Sequence, residues 1–169
     1  MDIDIRPTQE HDFPVIRHWI DTRLFRRFTK PIDDSQLENL LSRSKDGNLV
    51  DYGICAVNSG SNAIVGFAHA VIDWKNELAH IQQIIVGNSE FKKCGVGTTL
   101  MQNIFNKCFN ELKLNRTQLF VNEDNAPAVN FYRKLGFHTD GLMREATKFE
   151  DCFISWYCMS LLKKEWEIL

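Results

Sequence analysis

An α/β (α+β) fold, with a mixed and mostly antiparallel sheet of about six to seven strands flanked by helices, is what this sequence predicts. Three observations carry the prediction. Apolar segments of strand length run through residues 52–86, broken only by turn-rich connectors. From Val96 to Leu112 the apolar period changes to three and four. Strand and helix patterns then alternate to the end of the sequence.

The elements follow in order. Residues 2–6 alternate as a short strand. Residues 12–21 place Phe13, Ile16, Trp19 and Ile20 at helical spacing, and a second helix follows Asp34, with Leu37, Leu40 and Leu41 on one face. Residues 52–57 and 63–74 read as strands around Asn58-Ser59-Gly60-Ser61-Asn62, a connector of hairpin length. Residues 78–86 add a third strand after the polar turn Lys75-Asn76-Glu77, giving an antiparallel meander. The amphipathic stretch that begins at Val96 is the strongest helix in the sequence. Residues 117–121 form a strand; Asn125 caps a helix with Pro127 in its first turn, and Gly136 stops it after Leu135. Residues 137–143 and 152–162 supply the last two strands.

Composition narrows the function classes. The 169 residues fit one domain, taken as 1–169. Hydrophobic residues make up 44% and charged residues 25%, so a packed core is expected rather than disorder. With 20 Lys and Arg against 22 Asp and Glu, the net charge of -2 gives no global field for nucleic acid or an anionic membrane. Apolar runs fall short of the ~20 residues of a membrane span, and residues 1–6 lack the features of a signal peptide. A cytoplasmic location is therefore expected. Five cysteines without a CxxC pair point to free thiols and no bound metal.

The chemistry concentrates where the strand ending at Val86 runs through a loop into the strong helix. Gly95 and Gly97 open that helix. First-turn amides at the positive end of a helix dipole bind anions, and glycines let a phosphate approach the backbone. Position 100 is Leu, so GxGxxG is absent, and no Gly-Lys-Ser/Thr follows; both nucleotide fingerprints fail.

Lys92-Lys93-Cys94-Gly95-Val96-Gly97, followed by Leu119-Phe120-Val121, Asn125, Ala128 and Phe131-Tyr132-Arg133-Lys134-Leu135-Gly136-Phe137, resembles the two motifs of the GNAT superfamily of acetyl-CoA-dependent N-acetyltransferases. Lys92 stands where that family has Gln or Arg, and the loop before it is one residue longer. The resemblance implies the single-domain acyl-CoA N-acyltransferase fold and acetyl-CoA as co-substrate. It also implies that backbone groups of Lys92, Lys93, Cys94, Gly95, Val96, Gly97 and Thr98 hold the pyrophosphate. Ile85 and Val86 would lie along the pantetheine arm, which Asn125 would contact, and Tyr132 would face the thioester sulfur. The amine attacks the thioester directly in that family, so Cys94 is expected to be a bystander.

The residue types suit this chemistry. An alkyl ammonium of pKa about 10.4 must lose a proton before it attacks, and a phenol of about 10 can protonate a departing thiolate whose parent pKa is about 8.5. Tyr132 lies two helical turns beyond Asn125, on the same face. His80, Gln82, Ile84 and Val86 share one strand face by period two, which makes His80 the candidate base and Gln82 an acceptor contact; a hydrogen-bonded structural histidine is the alternative. Glu77 is a second candidate base, and His69 matches nothing in the family pattern. Arg23, Phe25, Arg26, Arg27, Phe28 and Lys30 form the one dense basic and aromatic cluster. Phe25, Arg26 and Arg27 are carried as acceptor contacts because the family sets its acceptor groove there. Phe153, Trp156 and Tyr157 read as core, with a homodimer surface as the alternative.

The expected function is acetyl transfer from acetyl-CoA to a primary amine of a small metabolite, an amino acid or another amine. The alternatives are an N-terminal or lysine acetyltransferase of proteins and a non-catalytic acyl-CoA-binding module. A nucleic-acid-binding module built on the basic cluster conflicts with the net charge.

Overall fold

The computed structural model describes residues 2–29, 32–42, 48–87 and 89–169. Seven strands form one sheet in the order β1-β2-β3-β4-β5-β7-β6. They are β1 (Ile3–Pro7), β2 (Leu49–Asn58), β3 (Ile64–Asp73), β4 (Leu78–Val86), β5 (Arg116–Asn122), β6 (His138–Phe149) and β7 (Cys152–Leu162). Every neighbouring pair is antiparallel except β4 and β5, which run parallel.

Two apolar clusters sandwich the sheet. One face carries α4 (Val96–Phe105) and α5 (Ala126–Lys134) over Ile54, Ala68, Ala70, Ile81, Leu119 and Leu161. Leu100, Met101 and Ile104 of α4 are fully buried there, each burial contributing about 1.5–3 kcal/mol relative to exposure. The other face carries α1 (Phe13–Ile20) and α3 (Asp34–Ser42), whose Ile16, Trp19, Leu37 and Leu40 cover Cys55, Phe67 and Ile85. A Cβ at Gly87 would collide with the Trp19 ring, so only glycine lets α1 sit against the end of β4.

The element order agrees with the sequence reading, with four differences. A six-residue helix, α2 (Arg23–Phe28), stands where the sequence showed only a basic cluster. Thr22 caps it, its hydroxyl accepting from the Phe25 N–H at 3.4 Å. The strong helix does not continue regularly to Leu112: residues 106–111 widen into a π turn that keeps Cys108 and Phe109 in the core. Strand β6 is longer than expected, because two register shifts carry it past Met143 to Phe149. A short helix, α6 (Lys163–Trp166), ends the fold.

Candidate active site

The parallel pairing of β4 with β5 spans only Leu78 to Ile81 against Arg116 to Leu119. Beyond Ile81 the two strands part, and the β5-facing edge of β4 from Gln82 to Val86 has no strand partner. A cleft of about 890 Å³ opens at this parting. His80, Gln82, Gln83, Ile84 and Val86 line it from β4, and Leu119, Phe120 and Val121 from β5.

A bulge redirects β4 at the same point. Gln83 pairs with His69 and Ile81 with Ala70, which leaves Gln82 as the extra residue. Ala79 and Ile81 face the α4 cluster; beyond the bulge Ile84 and Val86 do so, while Ile85 joins the cluster beneath α1 and α3. The expected common face of His80, Gln82, Ile84 and Val86 is thus corrected: an inserted residue shifts the parity, and His80 lies opposite Ile84 and Val86. Its ring meets Phe120 edge-on at 5.0 Å between centroids.

On the α4 side the cleft is walled by the loop opening that helix. Gly95 takes the left-handed conformation (φ 84°) as N-cap of α4, and Lys93 is also left-handed (φ 67°). The first amides of α4 have no intrahelical acceptor, and Lys92, Lys93, Gly95, Val96, Gly97 and Thr98 all line the cleft. A pyrophosphate suits this cradle of amides and two ammonium groups. Asn125 and Tyr132 line the same wall. The Asn125 side chain caps α5, accepting from the Ala128 N–H at 3.3 Å. Burial pushes the Tyr132 phenol up to about 12 although part of its ring surface stays open, so it is neutral at any working pH. Its O–H forms no hydrogen bond with the described residues, and its ring packs edge-on against Phe137.

Two of the expected residues turn their side chains away from the cleft. Ile85 is fully buried in the opposite cluster. Cys94 turns outward, its thiol donating to the Glu90 carbonyl at 3.4 Å.

The opposite mouth is aromatic. Phe25 and Phe28 of α2, Phe120 of β5, Met143 of β6 and Trp156 of β7 line it. Asn122 holds α2 there, its Nδ2 donating to the Arg27 carbonyl at 3.4 Å. Arg26 and Arg27 line a shallower adjoining recess rather than the cleft itself. Arg26 pairs with Asp21, Arg27 with Asp124 and Arg23 with Glu150. Lys30 lies outside the described residues. The aromatic group expected near the C-terminus divides: Trp156 is buried beside the cleft, whereas Phe153 is exposed.

The sequence reading missed a buried polar chain. His69 is fully enclosed, with Nε2 2.7 Å from the Asp51 carboxylate and Nδ1 3.0 Å from the Gln83 carboxamide oxygen. It ties β2, β3 and β4 together at the bulge. Phe120, Met143 and Trp156 were missed as wall residues; alternation about buried Leu119 and Val121 was the signal available for Phe120.

A seven-stranded sheet whose central parallel pair splays beside an amide-lined loop and helix defines an acyl-CoA-dependent transferase. The chain belongs to the acetyltransferase (GNAT) family, whose family model matches residues 13–137; it is an N-acetyltransferase of that family. It is 29% identical over 101 residues to the L-amino acid N-acetyltransferase AaaT of Escherichia coli (strain K12), covering 59% of this chain and 62% of that protein. It is 25% identical over 170 residues to the uncharacterized N-acetyltransferase p20 of Bacillus licheniformis, covering 97% of this chain and 94% of that protein. Among solved structures, spermidine N-acetyltransferase from Vibrio cholerae in complex with CoA and spermine superposes with a TM-score of 0.82 at 20% identity, covering 98% of each chain. The ribosomal-protein-S18-alanine N-acetyltransferase from Escherichia coli gives 0.71 at 18% identity, covering 95% of this chain and 94% of that one. These likenesses extend to the fold. Among the described residues no helix is long and apolar enough to cross a membrane.

Proposed function

We propose that the protein transfers acetyl from acetyl-CoA to the primary amine of a small metabolite by direct attack, working as a single domain in the cytoplasm. The observation that carries this reading is the single cleft at the β4–β5 parting, which joins the amide cradle of α4 to the aromatic mouth. Acetyl-CoA, when bound, supplies the acyl group, its thioester C–S bond breaking as the amine nitrogen forms the new amide.

The chain's own residues supply position and proton transfer. Amides of residues 92–98 and the Lys92 and Lys93 side chains hold the pyrophosphate. The unpaired edge of β4 near Val86 offers backbone hydrogen bonds to an extended chain and to the thioester oxygen. His80, on the aromatic side, takes the ammonium proton at a ring nitrogen, directly or through water held by Gln82. Tyr132 Oη donates to the departing sulfur. A phenol of about 12 is a weaker acid than a thiol of about 8.5, so its donation stabilises the developing thiolate before any full proton transfer. Likeness to an L-amino acid N-acetyltransferase supports a small acceptor.

The test is a screen of amines, amino acids, polyamines and peptides with acetyl-CoA, following free thiol. Thiol release that depends on a small amine is expected. A thermal shift with acetyl-CoA but no amine-dependent release would make the protein a CoA-binding module, and release with peptides alone would make it a protein acetyltransferase.

A further inference from the structure

The buried chain at the bulge has no part in the chemistry above. His69 is fully enclosed and Gln83 is 4% exposed, and a polar group so deeply buried costs free energy unless it finds a partner. The Asp51 carboxylate can only accept, so the ring donates to it from Nε2 at 2.7 Å. Nδ1 closes on the Gln83 carboxamide at 3.0 Å, and a carboxamide can meet that nitrogen by its C=O or its N–H, whichever way the ring is protonated. Asp51 comes from β2, His69 from β3 and Gln83 from β4. Gln83 lines the cleft; Asp51 and His69 stand behind it.

The chain holds the residue that follows the insertion. Ile81 pairs with Ala70 and Gln83 with His69. Regular pairing would instead set Gln82 opposite His69, Gln83 opposite Ala68 and Ile84 opposite Phe67. Ala68 belongs to the cluster beneath α4 and Phe67 to the opposite one, so the slip would turn a carboxamide into apolar packing and carry Ile84 and Val86 out of it. Register also decides chemistry. Successive residues of a strand turn their N–H and C=O groups to opposite sides, and where β5 has parted from β4 the groups on that side face the cleft. A slip of one residue would exchange the set offered to the thioester for the set that pairs with β3.

We propose that Asp51 and His69 are positioning residues for acetyl transfer: acting through Gln83, they hold the bulge at Gln82 and so fix which backbone groups of β4 meet the thioester. This rests on the acetyl-transfer reading above and deepens it. The pyrophosphate cradle lies on the α4 loop and does not depend on the chain. A broken chain therefore leaves CoA bound, with its thioester less closely held against the β4 edge.

Asp51 is the residue to change, because it lies outside the cleft and touches it through His69. Asp51→Leu removes the acceptor at similar size, and Asp51→Asn restores an acceptor oxygen. Both are compared with the wild-type chain by thiol release from acetyl-CoA with the amines of the screen above, glycine, L-phenylalanine and spermidine among them, normalised to folded protein and run beside thermal melts with CoA. Asp51→Leu is expected to lower kcat by about 10- to 100-fold with every amine the wild type uses, the scale of a misplaced reacting group. KM for acetyl-CoA and the CoA thermal shift should stay nearly unchanged, and Asp51→Asn should recover most of the loss. A second pair works at the ring: His69→Phe keeps its bulk, whereas His69→Asn keeps a polar group toward Gln83. Positioning predicts the asparagine variant to be the more active, and packing predicts the phenylalanine variant. Should Asp51→Leu fail to fold, this second pair decides alone. Wild-type kcat in folded Asp51→Leu, equal loss in Asp51→Leu and Asp51→Asn, or a more active His69→Phe would overturn the proposal. Loss of the CoA shift in folded Asp51→Leu would tie the chain to the cradle and overturn it as well. No thiol release by the wild type with any amine would overturn the acetyl-transfer reading, and the positioning role with it.

Discussion

The two arms of the cleft are built in different ways. The α4 arm is made mostly of backbone from one continuous loop, residues 92–98, whose shape depends on left-handed Lys93 and Gly95 and on a helix start. The aromatic arm is made of side chains from α2, β4, β5, β6 and β7, brought together only by the sheet order. An amide cradle reads phosphate and is indifferent to most side-chain changes, whereas a chamber of separate side chains can be retuned one residue at a time. One arm suits a constant ligand and the other a selective one.

The sharpest way to break this division is to block the backbone arm. Gly97→Glu puts a carboxylate at the phosphate cradle, against Phe131, whose Cζ lies 3.3 Å from where a Cβ would stand. At 100-fold excess over Kd, acetyl-CoA should stabilise the wild type by about 2.7 kcal/mol and the folded variant by nothing measurable. Thermal melts with and without ligand check this.

Tyr132→Phe tests the junction of the arms. Turnover should fall by roughly 10² to 10⁴ while the acetyl-CoA thermal shift stays nearly unchanged. Because burial already holds the phenol near 12, no alkaline limb below about pH 10 should be assignable to it. Unaltered turnover would return Tyr132 to the core.

A smaller and pH-dependent effect is expected at His80. A histidine base works when neutral, so rate falls as acid protonates the imidazole. His80→Ala should lower turnover most near neutral pH, and less both in acid, where the wild-type imidazole is itself protonated, and at high pH, where more of the amine is already deprotonated. Equal loss at every pH would mean a packing role against Phe120.

Legibility followed the same division. The α4 loop announces itself because its residues are contiguous and glycine marks the helix start. Strand order could be read in the meander, and Gly136 in fact takes the left-handed turn that closes α5, with the Phe137 N–H reaching the Tyr132 carbonyl at 3.0 Å. The bulge at Gln82 could not be read, since one unpaired residue leaves no mark in an alternating pattern yet reverses every side chain after it. That single insertion separates His80 from Val86 and sends Ile85 into the opposite cluster. The chamber of Phe120, Met143 and Trp156 was hidden for another reason: residues far apart in sequence meet only after β7 inserts between β5 and β6.

The smallest effect lies away from the cleft. Asp12 is buried at the foot of α1; burial raises its carboxyl, but the two Arg6 hydrogen bonds, at 2.7 and 2.8 Å, and the Gln9 N–H hold it below the ordinary value. A lowered native pKa stabilises the fold above the unfolded value of about 3.9, and that stability is lost as pH falls through the native pKa. Asp12→Asn should cost about 1–3 kcal/mol at neutral pH, and the gap to wild type should narrow in acid. Urea melts at two pH values decide it, with CoA binding unaffected at neutral pH.

Direct transfer requires both ligands in the cleft together, the acetyl group passing from one arm to the other with no acyl-cysteine at the outward-facing Cys94. Initial velocities with acetyl-CoA and the acceptor varied together test that directly. Intersecting double-reciprocal lines, unchanged in Cys94→Ala, are the predicted result. Parallel lines, with turnover abolished in Cys94→Ala, would contradict it.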